Sequence, residues 1–301
     1  MYPIWQRGAM LHLALKVKEV KAMQTIAEVL NEAETFGSIG KAAIAWQADQ
    51  DHTAVETVRC RMRQTLDVMR QSIQDGLLPE LRSVSGRVGG QAARMNAPQS
   101  IGRFGILGKA CAYALAVAES NACMGKIVAA PTAGSCGILP GVLFAAQEEA
   151  GFTDEVLVEA LFTAAAIGRV IATQATISGA EGGCQAECGA AAGMAAAALT
   201  ELYGGTPEQA TDACAFALMN SLGLVCDPVH GLVEIPCVYR NVGGASQALA
   251  AAQMSLSGVR CPIPCDEVIL TMKDIGDTMP QSLRETGDGG CAACASMCGR
   301  A

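Results

Sequence analysis

Aromatic and charged side chains are scarce in this chain of 301 residues. Aromatic residues make up 4% of the sequence and charged residues 17%, whereas hydrophobic residues make up 51% and glycine occurs 33 times. A core with so few rings is packed mainly by alanine, leucine, valine and methionine, which brings helices into close contact. A chain of this length buries such a core in one or two domains.

Basic segments are also missing. The net charge is −8 and no run of Lys and Arg forms a basic patch, so the sequence predicts no nucleic-acid partner. The first residues, Met-Tyr-Pro-Ile-Trp-Gln-Arg-Gly, contain no basic segment followed by an apolar run, and we expect a cytoplasmic protein. In that reducing compartment the 14 cysteines persist as thiols that are free to ligate metal.

Long apolar runs without charge are missing too. The run that opens at Val156 meets Glu159 and later Arg169. The run over residues 188–199 is shorter than the roughly 20 residues that span a bilayer. We therefore expect buried helices and no membrane partner.

Helical periodicity is the main structural signal. Apolar residues between positions 52 and 77 recur at steps of three and four, which is the pattern of an amphipathic helix, and a weaker stripe covers residues 13–30. A capping box at Thr206-Pro207-Glu208-Gln209 starts another helix. Further helices are predicted over residues 111–124, 139–150, 153–175 and 183–203. Since no segment alternates with period two, the sequence predicts an all-α fold.

Two glycine-rich or polar segments, residues 83–91 and 96–105, interrupt the helical pattern. We place a boundary there, between an N-terminal helical portion (residues 1–95) and a helical body (residues 96–301). The body contains Ala-Ala-Gly-Met-Ala-Ala-Ala-Ala, which packs well only where its neighbours come close. This predicts Ala/Gly-rich central helices around the functional site.

Three cysteines lie where helices are expected to break: Cys184 in Glu-Gly-Gly-Cys, Cys226 in Leu-Val-Cys-Asp-Pro and Cys237 in Ile-Pro-Cys. A cysteine beside Gly or Pro at the end of an element is held on rigid backbone, with its sulfur free to bind a ligand. Three thiolates around an iron–sulfur cluster leave one iron open to a substrate oxygen, as a Lewis acid. Their spacing matches no local metal motif, and the alternative of ordinary buried thiols stays open.

Other cysteines offer an alternative ligand or a packing role. Cys188 lies one helical turn after Cys184, so it is placed to replace it as a ligand. Cys60, Cys111 and Cys214 fall in mid-helix, where cysteines usually fill a core. The tail carries a C-x2-C-x3-C run, which fits a metal site or equally a mobile tail with incidental thiols; its cysteines are Cys291, Cys294 and Cys298.

A turn of small residues over 131–137 leads into a helix that carries Pro140 in its first turn. The first amides of a helix have no internal partner and carry the positive end of the dipole, and small residues let a ligand approach them. A plain helix-entry turn is the alternative. The candidate residues for binding a carboxylate or phosphate are Thr132, Ala133, Gly134 and Ser135.

Histidine, the usual general base, is rare in this sequence. His12 and His52 are expected to face solvent, and His230, between Cys226 and Cys237, is expected at the surface or behind the site. The residues therefore supply a Lewis-acid site and an anion site but no convincing base.

Three long segments resemble the α chain of iron–sulfur L-serine dehydratases. They are Ile-Val-Ala-Ala-Pro-Thr-Ala-Gly-Ser-Cys-Gly-Ile-Leu-Pro-Gly (127–141), Ile-Ser-Gly-Ala-Glu-Gly-Gly-Cys-Gln-Ala-Glu (177–187) and Leu-Gly-Leu-Val-Cys-Asp-Pro-Val-His-Gly-Leu-Val-Glu-Ile-Pro-Cys-Val-Tyr-Arg-Asn (222–241). Arg-Glu-Thr-Gly-Asp-Gly-Gly (284–290) continues the match.

The resemblance implies a [4Fe–4S] cluster held by Cys184, Cys226 and Cys237. It also implies that a tail cysteine, with Cys298 as the best candidate, occupies the open iron as in single-chain relatives. Substrate binding is implied at Thr132–Ser135, and a separate β subunit is implied to carry the histidine base, in an oligomer of αβ units. The implied reaction is β-elimination of L-serine to pyruvate and ammonia.

Three features depart from the family pattern, namely Cys188 in place of a small aliphatic residue, His230 in place of alanine, and the cysteine-containing tail. Two alternatives stay open. The same machinery would act on another β-substituted amino acid, such as cysteine with loss of sulfide, or the chain would be a non-catalytic cluster-binding subunit.

Overall fold

The computed structural model describes residues 23–298, and in this part of the chain 14 α-helices form and no β-strand does. This confirms the all-α fold that the sequence predicts. The helices are α1 Ile26–Phe36, α2 Ile39–Gln50, α3 Val55–Gly76, α4 Gln91–Met95, α5 Pro98–Ile101, α6 Ile106–Ala122, α7 Ile138–Ala150, α8 Asp154–Gln174, α9 Gly179–Gly182, α10 Ala190–Leu202, α11 Pro207–Met219, α12 Cys237–Leu256, α13 Cys265–Thr278 and α14 Ala295–Cys298.

Most predicted helices form near their predicted bounds. The amphipathic pattern over residues 52–77 is α3, and the predicted capping box starts α11. There the Gln209 amide donates to the Thr206 hydroxyl at 3.2 Å, and the Thr206 amide donates to the Gln209 side-chain oxygen at 2.9 Å. Local capping chemistry is therefore readable from the sequence.

Two predictions differ from the structure. The helix predicted over residues 183–203 is not continuous, because Gln185–Gly189 form a π-helical turn before α10 begins. Cys60 is exposed rather than buried, since it lies off the apolar stripe of α3. Cys111 and Cys214 are buried, as predicted.

The N-terminal portion is described from residue 23 onward, so the first part of the predicted weaker stripe and His12 lie outside the described residues. Its helices α2 and α3 pack against α8 and α6 of the body. The boundary between residues 95 and 96 stays a prediction.

Helix α10 lies at the centre of the fold. All of its residues except Glu201 are buried, and it packs against α7, α8, α11 and α12. A helix that is apolar all round is a core helix, and its alanine and glycine side chains let neighbours approach closely on every side.

Helix α8 is the one helix in the described part of the chain with the length and apolar composition of a membrane span. However, 67% of that stretch is buried inside the fold, so the helix is weak evidence for a membrane span. Its exposed side also carries Glu159, which accepts a hydrogen bond from the Ser38 hydroxyl at 3.0 Å.

The contact between α6 and α7 is closest at Gly141. A Cβ atom there would lie 2.7 Å from the backbone nitrogen of Ala114 and 2.8 Å from the carbonyl oxygen of Ala110. Both atoms belong to the backbone of α6, which moves only as a whole. Glycine at this position therefore sets how closely α7 approaches α6.

Carboxylates from distant parts of the chain cap three helices. Asp266 on α13 accepts from the first amide of α1 at 2.8 Å, and Glu201 on α10 accepts from the first amide of α2 at 2.7 Å. Glu119, fully buried on α6, accepts from the first amide of α4 at 3.0 Å. Because the first amides of a helix lack internal partners and its dipole favours negative charge there, these bonds tie the outer helices to the core.

The Gly141 contact gives a stability prediction. Gly141→Ala is expected to lower the free energy of unfolding by about 1–3 kcal/mol, because the added methyl group overpacks the contact between two backbones. Gly243 is the matched control, since it lies within α12 with no atom within 4 Å of its Cβ position. Gly243→Ala is expected to be neutral or to stabilise by about 0.5–1 kcal/mol. Denaturant titrations measure both, and equal stabilities would contradict the close contact.

Candidate active site

Cys184 lies on the connection from α9 to α10, and its backbone is held from two sides. Gly183 before it has φ +76°, and a Cβ there would lie 2.8 Å from the carbonyl oxygen of Leu224. In the π-helical turn that follows, the fully buried Gln185 side chain donates to the Met272 carbonyl at 2.8 Å and accepts from the Gly223 amide at 2.9 Å. The position of Cys184 is thereby fixed relative to α13 and to the segment that carries Cys226.

Cys226 is buried in an extended segment between α11 and α12. Its amide donates to the Leu283 carbonyl at 2.9 Å, and its carbonyl accepts from the Glu285 amide at 2.7 Å. This pair of bonds, an isolated bridge between Cys226 and Arg284, holds the cysteine against the segment that leads to the tail.

Cys237 is the first residue of α12, and the side chain of Asn241 one turn later joins it to the turn before α7. The Asn241 amide group donates to the carbonyls of Cys237 at 3.0 Å and Gly134 at 2.8 Å. Its oxygen accepts from the Gly137 amide at 2.8 Å. Asn241 is only 1% exposed, so these bonds form a buried clamp between the two segments.

The three cysteines predicted as ligands lie in one region. Burial, with a smaller contribution from a charge on Cys184, raises the pKa of the Cys237 thiol to about 12. Burial also raises the pKa of the Cys226 thiol, with smaller contributions from charges on Glu187, Cys184 and Cys237. The thiols are therefore close enough to affect one another, although the sequence separates them widely.

Three cysteine thiols are donors of the type that iron–sulfur clusters bind. Among residues 23–298 no group of three or more His, Cys, Asp or Glu side chains is arranged to hold one metal ion. A cubane is bound through separate irons, so its thiolates need not converge on one point. All cysteines whose side chains are described are free thiols; of these three, Cys184 and Cys226 are buried and Cys237 is half-buried.

The environment of Cys184 favours its thiolate. A hydrogen bond from Cys188 lowers the pKa of Cys184, burial opposes this, and the Arg240 guanidinium lowers the pKa further. The pKa of Cys188 is raised well above its usual range, chiefly by the same hydrogen bond. Arg240 is itself held by a buried ion pair with Asp227 at 2.7 Å.

The turn predicted to bind a carboxylate differs from the prediction in one respect. Ala133–Ser135 form a 3₁₀ helix capped by Thr132, and α7 begins only at Ile138, so the turn precedes that helix instead of forming its N-terminus. The Ser135 amide donates to the Thr132 carbonyl at 3.3 Å, and the Thr132 amide donates to the Ser135 hydroxyl at 3.4 Å. The amides of Ala133 and Gly134 have no acceptor within the described residues, which leaves two donors for an anion.

Glu187 lies between this turn and Cys226. Its Oε1 accepts from the Thr132 hydroxyl at 2.8 Å, and its Oε2 lies 3.8 Å from the Cys226 sulfur. Burial raises the pKa of the Glu187 carboxyl group. The Glu187 carboxyl group thus lies between the turn Thr132–Ser135 and the Cys226 thiol.

Sequence reasoning missed Glu187, Asn241 and Arg240. Glu187 had a signal, because it is the only charged residue between Glu181 and Glu201 in an Ala/Gly-rich stretch. Asn241 and Arg240 have no local signal. Their roles depend on what α12 packs against.

The remaining predicted residues lie around this centre. His52 and His230 are both exposed. In the tail, the Cys291 amide donates to Asp227 at 2.6 Å, so the tail is attached beside Cys226. Cys298 ends α14, but its side chain lies outside what the structure describes, and its role on the open iron stays a prediction.

Comparison with known proteins matches the chain to the family described as serine dehydratase alpha chain, over residues 13–292. It is 47% identical over 274 residues to the probable L-serine dehydratase, alpha chain, of Bacillus subtilis, with 90% of each chain covered. It is 46% identical over 246 residues to the L-serine dehydratase, alpha chain, of Peptoniphilus asaccharolyticus, with 80% of this chain and 84% of that one covered.

A longer protein, the L-serine dehydratase of Streptomyces coelicolor, is 41% identical over 236 residues, which cover 77% of this chain and 50% of that one. The family match contains Cys184, Glu187, Cys226, Cys237 and the turn Thr132–Ser135, whereas Cys298 lies beyond it. On this match and on the two alpha-chain relatives, the chain belongs to the serine dehydratase alpha chain family.

Proposed function

We propose that this chain is the α subunit of an iron–sulfur L-serine dehydratase, which eliminates water from L-serine and yields pyruvate and ammonia. The observation that carries the proposal is that Glu187 joins the turn, through the Thr132 hydroxyl, to Cys226, whose thiol shares one region with those of Cys184 and Cys237. The names of the relatives support serine as the substrate.

The proposed cluster ligands are Cys184, Cys226 and Cys237. Cys184 is preferred to Cys188, because it stands at the position where the family resemblance implies a ligand, and because the Arg240 guanidinium contacts Cys184 and favours its thiolate. When bound, the [4Fe–4S] cluster supplies a Lewis-acidic iron to a substrate oxygen. Free thiols throughout the described chain support the cytoplasmic setting that we propose.

The turn is proposed to bind the substrate carboxylate through the amides of Ala133 and Gly134, beside the Thr132 hydroxyl. Asn241 holds this turn at a fixed separation from Cys237. One rigid assembly thus positions the carboxylate end of a substrate relative to the thiols, which restricts the substrate to a reactive orientation.

The base that removes the Cα proton is proposed to lie on a β subunit, in an oligomer of αβ units. His52 and His230, the histidines in the described part of the chain, are both exposed. Half of the Streptomyces coelicolor protein lies outside the match, which leaves room for such a portion within one chain.

The ligand assignment predicts iron content. Cys184→Ala, Cys226→Ala and Cys237→Ala are each expected to reduce iron after anaerobic reconstitution from about four to below about one per chain, because an iron that loses its thiolate is exposed to solvent. Iron assays and visible absorbance measure this.

Cys214→Ala and Cys60→Ala are the matched controls, one buried and one exposed, and both are expected to keep the iron. Cys188→Ala decides between neighbouring thiols. If it removes the cluster while Cys184→Ala retains it, the assignment of Cys184 is wrong.

The partner proposal predicts complementation. Addition of the β chain, sought in an adjacent reading frame, is expected to raise serine turnover of the iron-loaded chain by at least about 100-fold, the usual contribution of a general base. Full turnover by the isolated chain would contradict the two-chain proposal. An iron-loaded mixture that leaves serine unchanged would favour a non-catalytic subunit.

Substrate preference is tested by kcat/KM for serine, cysteine and threonine under anaerobic conditions. We expect a preference for serine of about 100-fold or more, equivalent to about 2.7 kcal/mol. Equal values for cysteine would support the desulfhydrase-like alternative.

A further inference from the structure

The Glu187 carboxylate is held between two segments of different chemistry. Its Oε1 is bound by the Thr132 hydroxyl of the turn, and its Oε2 faces the Cys226 sulfur at 3.8 Å. A Cβ on Gly134 would lie 3.1 Å from Oε1, and a Cβ on Gly179 would lie 2.5 Å from Oε2. The backbones of Gly134 and Gly179 thus lie against the carboxylate on both sides and fix its position.

No cation forms an ion pair with this carboxylate within the described part of the chain although, against the larger effect of burial, the charge of the Arg240 guanidinium lowers the pKa of Glu187. None of the ion pairs there includes Glu187. Arg240 is engaged elsewhere, since it pairs with Asp227 at 2.7 Å and donates to the Val225 carbonyl at 2.7 Å. A partly buried negative charge without a positive partner is costly, so the site favours a ligand that carries a cation.

The negative charge around Glu187 increases when Cys226 serves as a metal ligand. A metal-bound thiolate has no proton to donate, so Oε2 of Glu187 loses the donor that it has in the free thiol. A second negative charge then stands beside the carboxylate. An ammonium group placed there would donate to Oε2 and offset both charges.

We propose that Glu187 binds the α-ammonium group of an amino-acid substrate. The proposal rests on the proposed function, because it takes the substrate carboxylate to lie on the amides of Ala133 and Gly134. Gly134 adjoins both groups, so a carboxylate and an ammonium one carbon apart reach them together. Glu187 is thus the residue that selects amino acids over the corresponding hydroxy acids, whose hydroxyl group carries no charge.

Binding of two unreactive ligands tests this selection directly. L-Alanine and L-lactate have no β-leaving group and differ only in an ammonium against a hydroxyl group. Isothermal titration calorimetry of the iron-loaded protein is expected to show tighter binding of alanine. Glu187→Gln is expected to weaken alanine binding about 10- to 100-fold, the usual effect of a lost charged hydrogen bond, and to leave lactate binding unchanged or stronger.

Glu181→Gln is the matched control, because Glu181 is an exposed carboxylate on the neighbouring α9 whose side chain contacts only the Thr176 hydroxyl in the described chain. It is expected to bind both ligands as the unmodified protein does. Glu187→Asp keeps the charge and is expected to retain part of the preference for alanine. Iron content and thermal unfolding of each variant identify any loss of the fold or of the cluster.

Several results would overturn the assignment. One is equal binding of alanine and lactate by the unmodified protein. Another is that Glu187→Gln lowers serine turnover without changing alanine binding, which is the result expected if Glu187 were a general base. Failure of the proposed function is distinguishable. If the protein binds no iron and leaves serine unchanged, yet prefers alanine through Glu187, the amino-acid site stands without the elimination reaction.

Discussion

Close approach of helix backbones is the constraint on which the rest of this structure depends. Helices α7, α10 and α12 pack against one another, α10 and α12 largely through alanine and glycine and α7 through apolar side chains, so their interiors offer almost no reactive side chains. Chemistry is confined to the segments where these helices begin. The turn Thr132–Ser135 precedes α7, Cys184 and Glu187 precede α10, and Cys237 starts α12. Because the three starting segments contact one another, motifs far apart in sequence form one site.

Burial determines the charge state of this site. It raises the pKa of the thiols of Cys226 and Cys237, so both are protonated at neutral pH when no metal is bound. Cys184 is the exception, because Cys188 and Arg240 favour its thiolate. In the proposed role, metal binding therefore releases protons, which makes loading dependent on pH. The same burial that makes the thiols poor nucleophiles protects them from oxidants in the absence of metal.

The sequence predicts the parts of this molecule that depend on local chemistry. The periodicity of α3, the capping box of α11 and the all-α fold are local properties, and the structure has them. The sequence also contains the cysteines and the small-residue turn, but it does not show that they meet. That meeting depends on packing of α7, α10 and α12, as do the contacts of Asn241 and Arg240. The π-helical turn after Cys184 was missed because no residue type in this run signals the extra residue per turn that distinguishes a π-helix from an α-helix.

The remote carboxylate caps affect how the chain folds as it is synthesised. Helix α1 has a local capping box, in which Thr25 accepts from the Glu28 amide, and it also uses Asp266, which lies 240 residues later than Ile26. Helix α2 likewise has Ser38 beside it and Glu201 far away. At about 5–20 residues per second, the ribosome needs roughly 10–50 s to reach the later cap of α1. During that interval the local caps bind the third amide of each helix, at Glu28 and Lys41. The remote carboxylates later bind the first amides and attach helices that have already formed.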